Sequence, residues 1–381
     1  MPDYEARVAA ELRTFADQEV VHDLPAIHHF WTHRFLTPLL AEVGVPDVNT
    51  LWRREIIAQC RRRAPERARL VSLGAGNGEL ELALAEGLMR EGVDNLELVL
   101  LELNTDMLAR ADAQARRLGI EDRVRGEVAD LNTWTASAPV DVYLASHSLH
   151  HVVELEHLYE QVRHSLTPDG VLLVNDMIGR NGHQRWPEAG QAVRRIWRTL
   201  PERYRYNHSL GRVDDEYPDL DCSSEGFEGI RSQDVLPLLL EVLHPETYVG
   251  FANVIDPFVD RVYGHNFDPD NPDDAVLIEE IATFDEAAID AGVLTPTHLL
   301  AVFRPEPVPC RYPRRRSPER TVRDPQDELA SLPFPPASVT APPEPGPTAS
   351  DGWDLYRALR ARKAVRLALA LADARHRLSR D

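Results

Sequence analysis

From about position 65 to position 304, short apolar runs alternate with longer stretches whose apolar residues recur every three or four positions. Seven runs have the length and the branched or leucine-rich content of strands, at 69–73, 96–101, 124–127, 140–145, 170–175, 247–252 and 299–303. Helical periodicity fills most of the intervals. This alternation predicts an α/β fold, a mostly parallel sheet covered on both faces, with ligands outside the carboxyl ends of its strands. The stretch 186–246 is longer than a simple crossover requires and reads as a helical cap over that edge.

Beyond residue 304 the pattern changes. Proline recurs in "RPEPVPCRYPRRRSP" and "LPFPPASVTAPPEPGPT", removing backbone donors and fixing φ, so 305–350 is expected to be an extended linker. After it, 351–381 combines a cap candidate, Asp351, with spaced apolar residues among arginines. That pattern predicts one basic amphipathic helix, suited to dock on a protein partner or a membrane surface. No internal repeat is visible.

Composition narrows the class. The 381 residues are 43% hydrophobic and 27% charged, as in an ordinary globular protein, and no apolar run reaches the roughly 18 residues of a membrane span. The first residues carry acids and no continuous apolar core of a signal peptide, so a cytoplasmic location is expected. Cys60, Cys222 and Cys310 are far apart, which argues against a disulfide framework or a thiolate zinc site. A net charge of -20 disfavours a nucleic-acid partner. The charge is uneven, because 304–381 holds 15 basic and 10 acidic residues while the rest of the chain is strongly acidic.

The stretch "RLVSLGAGNGELELALAEGL" runs from the first strand through Gly74, Ala75, Gly76 and Gly78 into a helical pattern. Glycines there let backbone approach a ligand. A dinucleotide fingerprint wants a small residue where this chain has Glu79, and a carboxylate at that turn repels pyrophosphate. S-adenosylmethionine, which has no phosphate and carries a positive sulfonium, suits the acidic turn better. Glu102, closing the second strand, can accept both hydrogen bonds of a ribose diol. Asp130, past the third strand, can accept from an exocyclic amine such as that of adenine.

With glycine turn, Glu102 and Asp130 at three successive strand ends, the chain resembles the class I S-adenosylmethionine-dependent methyltransferases over 65–304. The resemblance implies a Rossmann-like seven-stranded sheet with its last strand inserted antiparallel, and S-adenosylmethionine as cofactor. By position, Gly74, Ala75, Gly76 and Gly78 would line its methionine part, Glu102 with Leu103 its ribose, and Asp130 with Leu131 its adenine. Ser146 would lie beside it. The chain departs from the family in having Ser72 where many members have an acid two residues before the first glycine. Residues 1–64 would form a helical lid, with Trp31 stacking and Arg34 holding the cofactor carboxylate. "HDLPAIHHFWTHRFLTPLL", "NDMIGRNGHQRW" and "GHNFDPDNPDD" look similar to a bacterial subgroup associated with glycan and surface-polysaccharide modification.

A hydroxyl acceptor must lose its proton. The fourth strand delivers "VDVYLASHSLHHV", where His147 and His150 are candidate general bases. A purely structural role for these histidines stays open, and so does metal binding through His147 and His151, although no metal is expected. His151, Asp176, Arg180 and His183 are candidate acceptor contacts. His265, Asn266 and Asp268 have oxygen-rich spacing but not that of a calcium loop, and capping the helix near Asp273 explains them better. The resulting expectation is O-methylation of a small metabolite or glycan intermediate. The alternatives are N-methylation of a small amine and a non-catalytic cofactor-binding module.

Overall fold

The computed structural model describes residues 4–15, 24–224 and 226–323; the expected helix 351–381 and residues 324–350 of the expected linker lie outside them. The chain opens with α1 (Tyr4–Phe15). Next, α2 (Ala26–Trp31) passes through a π-helical turn (Thr32–Leu36) into α3 (Thr37–Ala41), followed by α4 (Val48–Arg63). There follow β1 (Ala68–Leu73), α5 (Glu79–Arg90), β2 (Leu96–Glu102), α6 (Thr105–Leu118), β3 (Val124–Val128), β4 (Val140–Ser146), α7 (Leu155–Ser165) and β5 (Leu166–Met177). An excursion of α8 (Pro187–Trp197), a short hairpin of β6 (Tyr206–Asn207) and β7 (Arg212–Val213), and α9 (Ser232–Val242) precedes the rest. The remainder is β8 (His244–Phe251), α10 (Asp256–Val259), α11 (Pro272–Asp290), β9 (His298–Arg304) and α12 (Pro318–Thr321).

All seven expected strands form, within a few residues of their expected ends. They make one sheet in the order β3-β2-β1-β4-β5-β9-β8, with β9 antiparallel to both neighbours and the remaining pairs parallel. This is the sheet of the class I methyltransferase fold. Side chains alternate across each strand, so one face carries Leu70, Leu98, Val142 and Leu173 against Ile56 of α4, Leu82 of α5 and Ala111 of α6. The other face carries Val71, Val99, Tyr143 and Leu172 against Leu158 of α7 and Leu236 of α9. Burial on both faces accounts for apolar runs that do not alternate with polar residues.

Capping places the helices on the sheet edge. The Asp47 carboxylate accepts from Thr50 N at the start of α4, Asn104 accepts from Asp106 N at α6, and Asn271 accepts from Asp273 N at α11. The α11 cap satisfies the acid-rich loop before it, while Asn266 donates to Tyr204 O and Tyr206 O, and Asp268 accepts from Asp270 N.

Two expected segments run differently. Residues 305–323 do not extend away as a linker. Arg311 exchanges backbone hydrogen bonds with the β8 edge, accepting from Tyr248 N and donating to Glu246 O, both at 2.9 Å. Arg316, 3% exposed, is held at 2.9 Å by both Glu286 and Asp290 of α11. The proline spacing limits this to a single bridge, and the arginines find partly buried acids that no local pattern announced. Among the described residues of 1–64, α1 alone reaches the carboxyl edge of the sheet. Helix α4 packs under β1, β4 and β5, and α2 packs against α10 and α11.

Candidate active site

The open cleft of the molecule lies where the fold predicts, at the carboxyl ends of β1, β2 and β4 and the turn after β3. Ala75 N donates to Leu101 O, so the glycine turn continues the β1–β2 ladder for one residue before it leaves the sheet. Gly74 has φ +70°, and a Cβ there would meet the Ser148 Cβ at 2.8 Å, so the first turn closes only around a residue without a side chain. At Gly76, φ +56°, a Cβ would reach nothing nearer than the Met107 sulfur at 4.0 Å. That glycine faces open space, as a backbone that cradles a ligand does.

Glu102 and Asp130 are held by backbone and neighbours. One Glu102 oxygen accepts from Gly76 N and the other from Asn104 N, each at 2.9 Å, which fixes the carboxylate plane. Asp130 accepts from Asn132 N at 3.0 Å and from the Tyr4 hydroxyl of α1 at 2.6 Å. Burial and Asp130 together raise the Tyr4 pKa, so Tyr4 remains the donor. Leu103, Leu131, Ser146, Ala75 and Gly78 line the same cleft. Glu11, Glu79, Glu81, Glu102 and Asp130 also line it, and among the described residues no lysine or arginine does. Five carboxylates without a cation suit a positively charged ligand and oppose a pyrophosphate.

The Ser72 departure has a structural answer. Glu81, in the first turn of α5, is 5% exposed and accepts from the Ser72 hydroxyl at 2.7 Å. The acid missing from the strand is returned from the helix. Burial raises its pKa, only partly offset by the Ser72 hydrogen bond.

The far wall of the cleft carries histidines. His147 follows β4 in the left-handed region, φ +51°, lines the cleft and is exposed. His151 also lines the cleft; its Nδ1 sits 2.7 Å from the Glu11 carboxylate of α1. His150 does not. It is 2% exposed beneath this wall, with Nδ1 2.5 Å from Asp176. Burial opposes charge on the His150 ring, but the Asp176 and Glu228 carboxylates outweigh it and carry its pKa up to about 10. A ring shut off from the cleft and tied to Asp176 cannot reach an acceptor's proton, which corrects the expectation for His150.

Other expected contacts also differ. Asp176 is fully buried and accepts from Ser148 N and Leu149 N as well as binding His150, so it anchors the 3-10 turn Leu149–His151 instead of facing an acceptor. Arg180 donates to Arg185 O and stacks over Trp186, outside the cleft. Trp31 is core, packed on Phe251, and Arg34 is exposed and paired with Glu279; neither lines the cleft. The apolar stripe of α2 is satisfied by α10 and α11, which leaves Trp31 no path to the sheet edge. His183 lies near the histidines but on the buried side, its Nε2 2.5 Å from Glu228.

Sequence reasoning missed Tyr4, Glu11, Glu81, Phe227 and Glu228. Glu81 carried a signal, because an acid on the inward face of α5 breaks the apolar stripe. The others come from segments with no chemical pattern of their own.

Residues 66–211 match the model of the methyltransferase domain family. The 27-O-demethylrifamycin SV methyltransferase of Amycolatopsis mediterranei (strain S699) is 31% identical over 113 residues, covering 29% of this chain and 39% of that protein. The chain thus spans about two fifths of the length of that curated relative. Among solved structures, geranyl diphosphate C-methyltransferase from Streptomyces coelicolor A3(2) is similar with a TM-score of 0.41 at 13% identity, covering 80% of this chain and 100% of that one. The O-methyltransferase of a trans-AT PKS multienzyme of Brevibacillus brevis gives 0.40 at 13% identity, covering 76% and 85%. Among the described residues, no helix is long and apolar enough to cross a membrane.

Proposed function

We propose, from the premise that residues 66–211 form a class I S-adenosylmethionine-dependent methyltransferase domain, that this chain methylates a hydroxyl oxygen of a small-molecule acceptor. The observation that carries the reading is the row of Gly76, Glu102 and Asp130 at successive strand ends of one cleft, with His147 at its far wall. When bound, S-adenosylmethionine supplies a methyl group already activated by its sulfonium.

The residues present fit that cofactor. Gly76 leaves room for its methionine part, Glu102 presents both carboxylate oxygens to a ribose diol, and Asp130 offers an acceptor to the adenine amine. Glu81 and its neighbours provide the negative charge an ammonium group needs. Proximity and orientation then supply most of the rate enhancement. His147, exposed in the cleft, takes the acceptor's proton as the oxygen forms its bond to the methyl carbon and the carbon–sulfur bond breaks. A glycan hydroxyl is one acceptor class within this reading. The rifamycin relative's name, which specifies a methylated oxygen, favours oxygen over nitrogen.

Calorimetric titration with S-adenosylmethionine and S-adenosylhomocysteine, beside a reduced nicotinamide dinucleotide, tests the cofactor. We expect saturable binding of the first two and a loss of about 10- to 100-fold in Glu102→Ala, as two hydrogen bonds to a charged group disappear. Binding of the dinucleotide alone refutes the reading.

A further inference from the structure

Behind the acceptor wall, three imidazoles converge on one carboxylate. Glu228 Oε1 lies 2.5 Å from His183 Nε2 and 3.4 Å from His150 Nε2, while its Oε2 lies 3.3 Å from His151 Nε2. The ligand atoms of His150, His183 and Glu228 all lie within 4.8 Å of one another. We propose that this cluster is a divalent transition-metal site, with His150, His183 and Glu228 as ligands and zinc as the ion its donors fit best. The inference concerns metal binding and does not rest on methyl transfer.

Three features support an ion over a set of shared protons. First, one of the proposed ligands, His150, is oriented as metal-ligating histidines are, with Nδ1 tied to Asp176 at 2.5 Å, and the neighbouring His151 is tied in the same way to Glu11 at 2.7 Å. Each such hydrogen bond leaves Nε2 pointed at Glu228.

Second, the rings crowd one another, with centroids 4.4 Å apart for His150–His151 and 5.1 Å for His150–His183. One ion bridging the His150 and His183 rings and the carboxylate accounts for that convergence.

Third, the backbone is strained to make the arrangement. His183 sits at φ +56°, in the left-handed region that a histidine rarely occupies, and Gly182 N donates to Gly229 O at 2.7 Å, clamping the two ligand-bearing loops together.

Two imidazoles and a carboxylate are borderline donors, the set that selects zinc and its neighbours over magnesium or calcium. Zinc bonds to nitrogen and oxygen are about 2.0–2.2 Å long, so an ion would part the His183–Glu228 contact and sit between the two groups. Glu228 is 41% exposed at its side chain, which gives an ion a route in. Because His151 and Phe227 line the cleft, an ion held by the adjoining residues fixes the acceptor wall.

The test starts from full-length protein stripped with a chelator. Zinc is titrated calorimetrically and retained metal is measured by mass spectrometry. We expect one zinc per chain, and cobalt(II) in its place giving saturable visible absorption of a nitrogen–oxygen site without thiolate charge-transfer bands. His183→Ala and Glu228→Gln lose binding at least 100-fold, with circular dichroism and a cooperative melt establishing that they fold. Asp176→Asn, which removes the carboxylate behind the His150 ring, weakens zinc about 10- to 100-fold. Wild-type protein that retains no zinc and shows no saturable cobalt spectrum overturns the site, and so do variants that bind as wild type does. A proton-held cluster with no metal affinity is the same refutation. Because none of these readouts uses the cofactor, failure here leaves the proposed function standing, and the converse also holds.

Discussion

The two ends of the cleft are built in opposite ways. At the cofactor end, Glu102 accepts from Asn104 N and from Gly76 N of the adjoining strand turn, and Asp130 accepts from Asn132 N, so backbone of the sheet edge supports each carboxylate, with the Tyr4 hydroxyl added from α1. At the acceptor end the partners are separated by long stretches of chain: Glu11 with His151, Glu228 with His150 and His183, Asp176 with His150. The first design tolerates change elsewhere in the fold. The second depends on five segments arriving together, and a change in any of them is felt at the others.

The comparison is tested most severely by His147→Ala. Loss of the proposed base in the cleft is expected to lower kcat by about 10²- to 10⁴-fold while cofactor affinity, measured calorimetrically, stays within a few-fold. Equal losses in both would mean that the two ends are not separable. Next in size is Glu81→Gln. Removing the carboxylate that Ser72 supports is expected to weaken S-adenosylmethionine binding about tenfold through one charged hydrogen bond, with kcat nearly unchanged. Unaltered binding would show that Glu81 serves only the packing of α5.

A smaller effect is expected from Tyr4→Phe, which deletes the hydrogen bond from α1 to Asp130 and touches both ends, because Glu11 lies on the same helix. Cofactor affinity should change by less than about fivefold, since one exposed hydrogen bond contributes about 1 kcal/mol or less. A change confined to kcat would indicate that α1 acts through His151.

No effect on either end is expected from Asp260→Asn, which serves as the control in a different region. Burial pushes the Asp260 carboxyl up to about 7, above its ordinary 3.8. A raised folded value means that its stabilising contribution is complete below about pH 4 and is lost as pH rises through 7. The asparagine variant stays neutral and can still accept from Val262 N and Tyr263 N, so its melting temperature relative to wild type should rise between pH 5 and pH 8. Taking the difference cancels His28, His183 and His298, whose values burial lowers and which act in the opposite sense. A constant difference across that range would show that Asp260 ionises freely in the fold.

The legibility of the site follows the same division. Strand runs, glycine turn, Glu102 and Asp130 were readable because an α/β sheet presents its strand ends in a fixed order, and a residue's distance from the end of an apolar run is visible in one dimension. His147 and His151 were readable for the same reason. Trp31 and Arg34 were misread because an aromatic stripe on a helix looks alike whether it meets a cofactor or, as here, Phe251 and the α11 surface. Asp176 and His150 were taken for cleft groups because the ends of strands and the turns beneath them share the same sequence positions, and only burial separates them.

By itself the sequence determined the order of strands and helices, the acidic cleft and the kind of ligand that cleft suits, because periodicity and turn chemistry are local properties of the chain. Tertiary structure alone decided that Glu81 answers for Ser72, that Arg316 folds the proline-rich segment back onto α11, and that Glu228 draws three histidines together. Those pairings join residues whose own neighbourhoods carry no sign of a partner. They exist because packing two layers on a sheet brings remote polar groups into spaces where leaving one unpaired costs several kcal/mol, on the order of a large share of net stability.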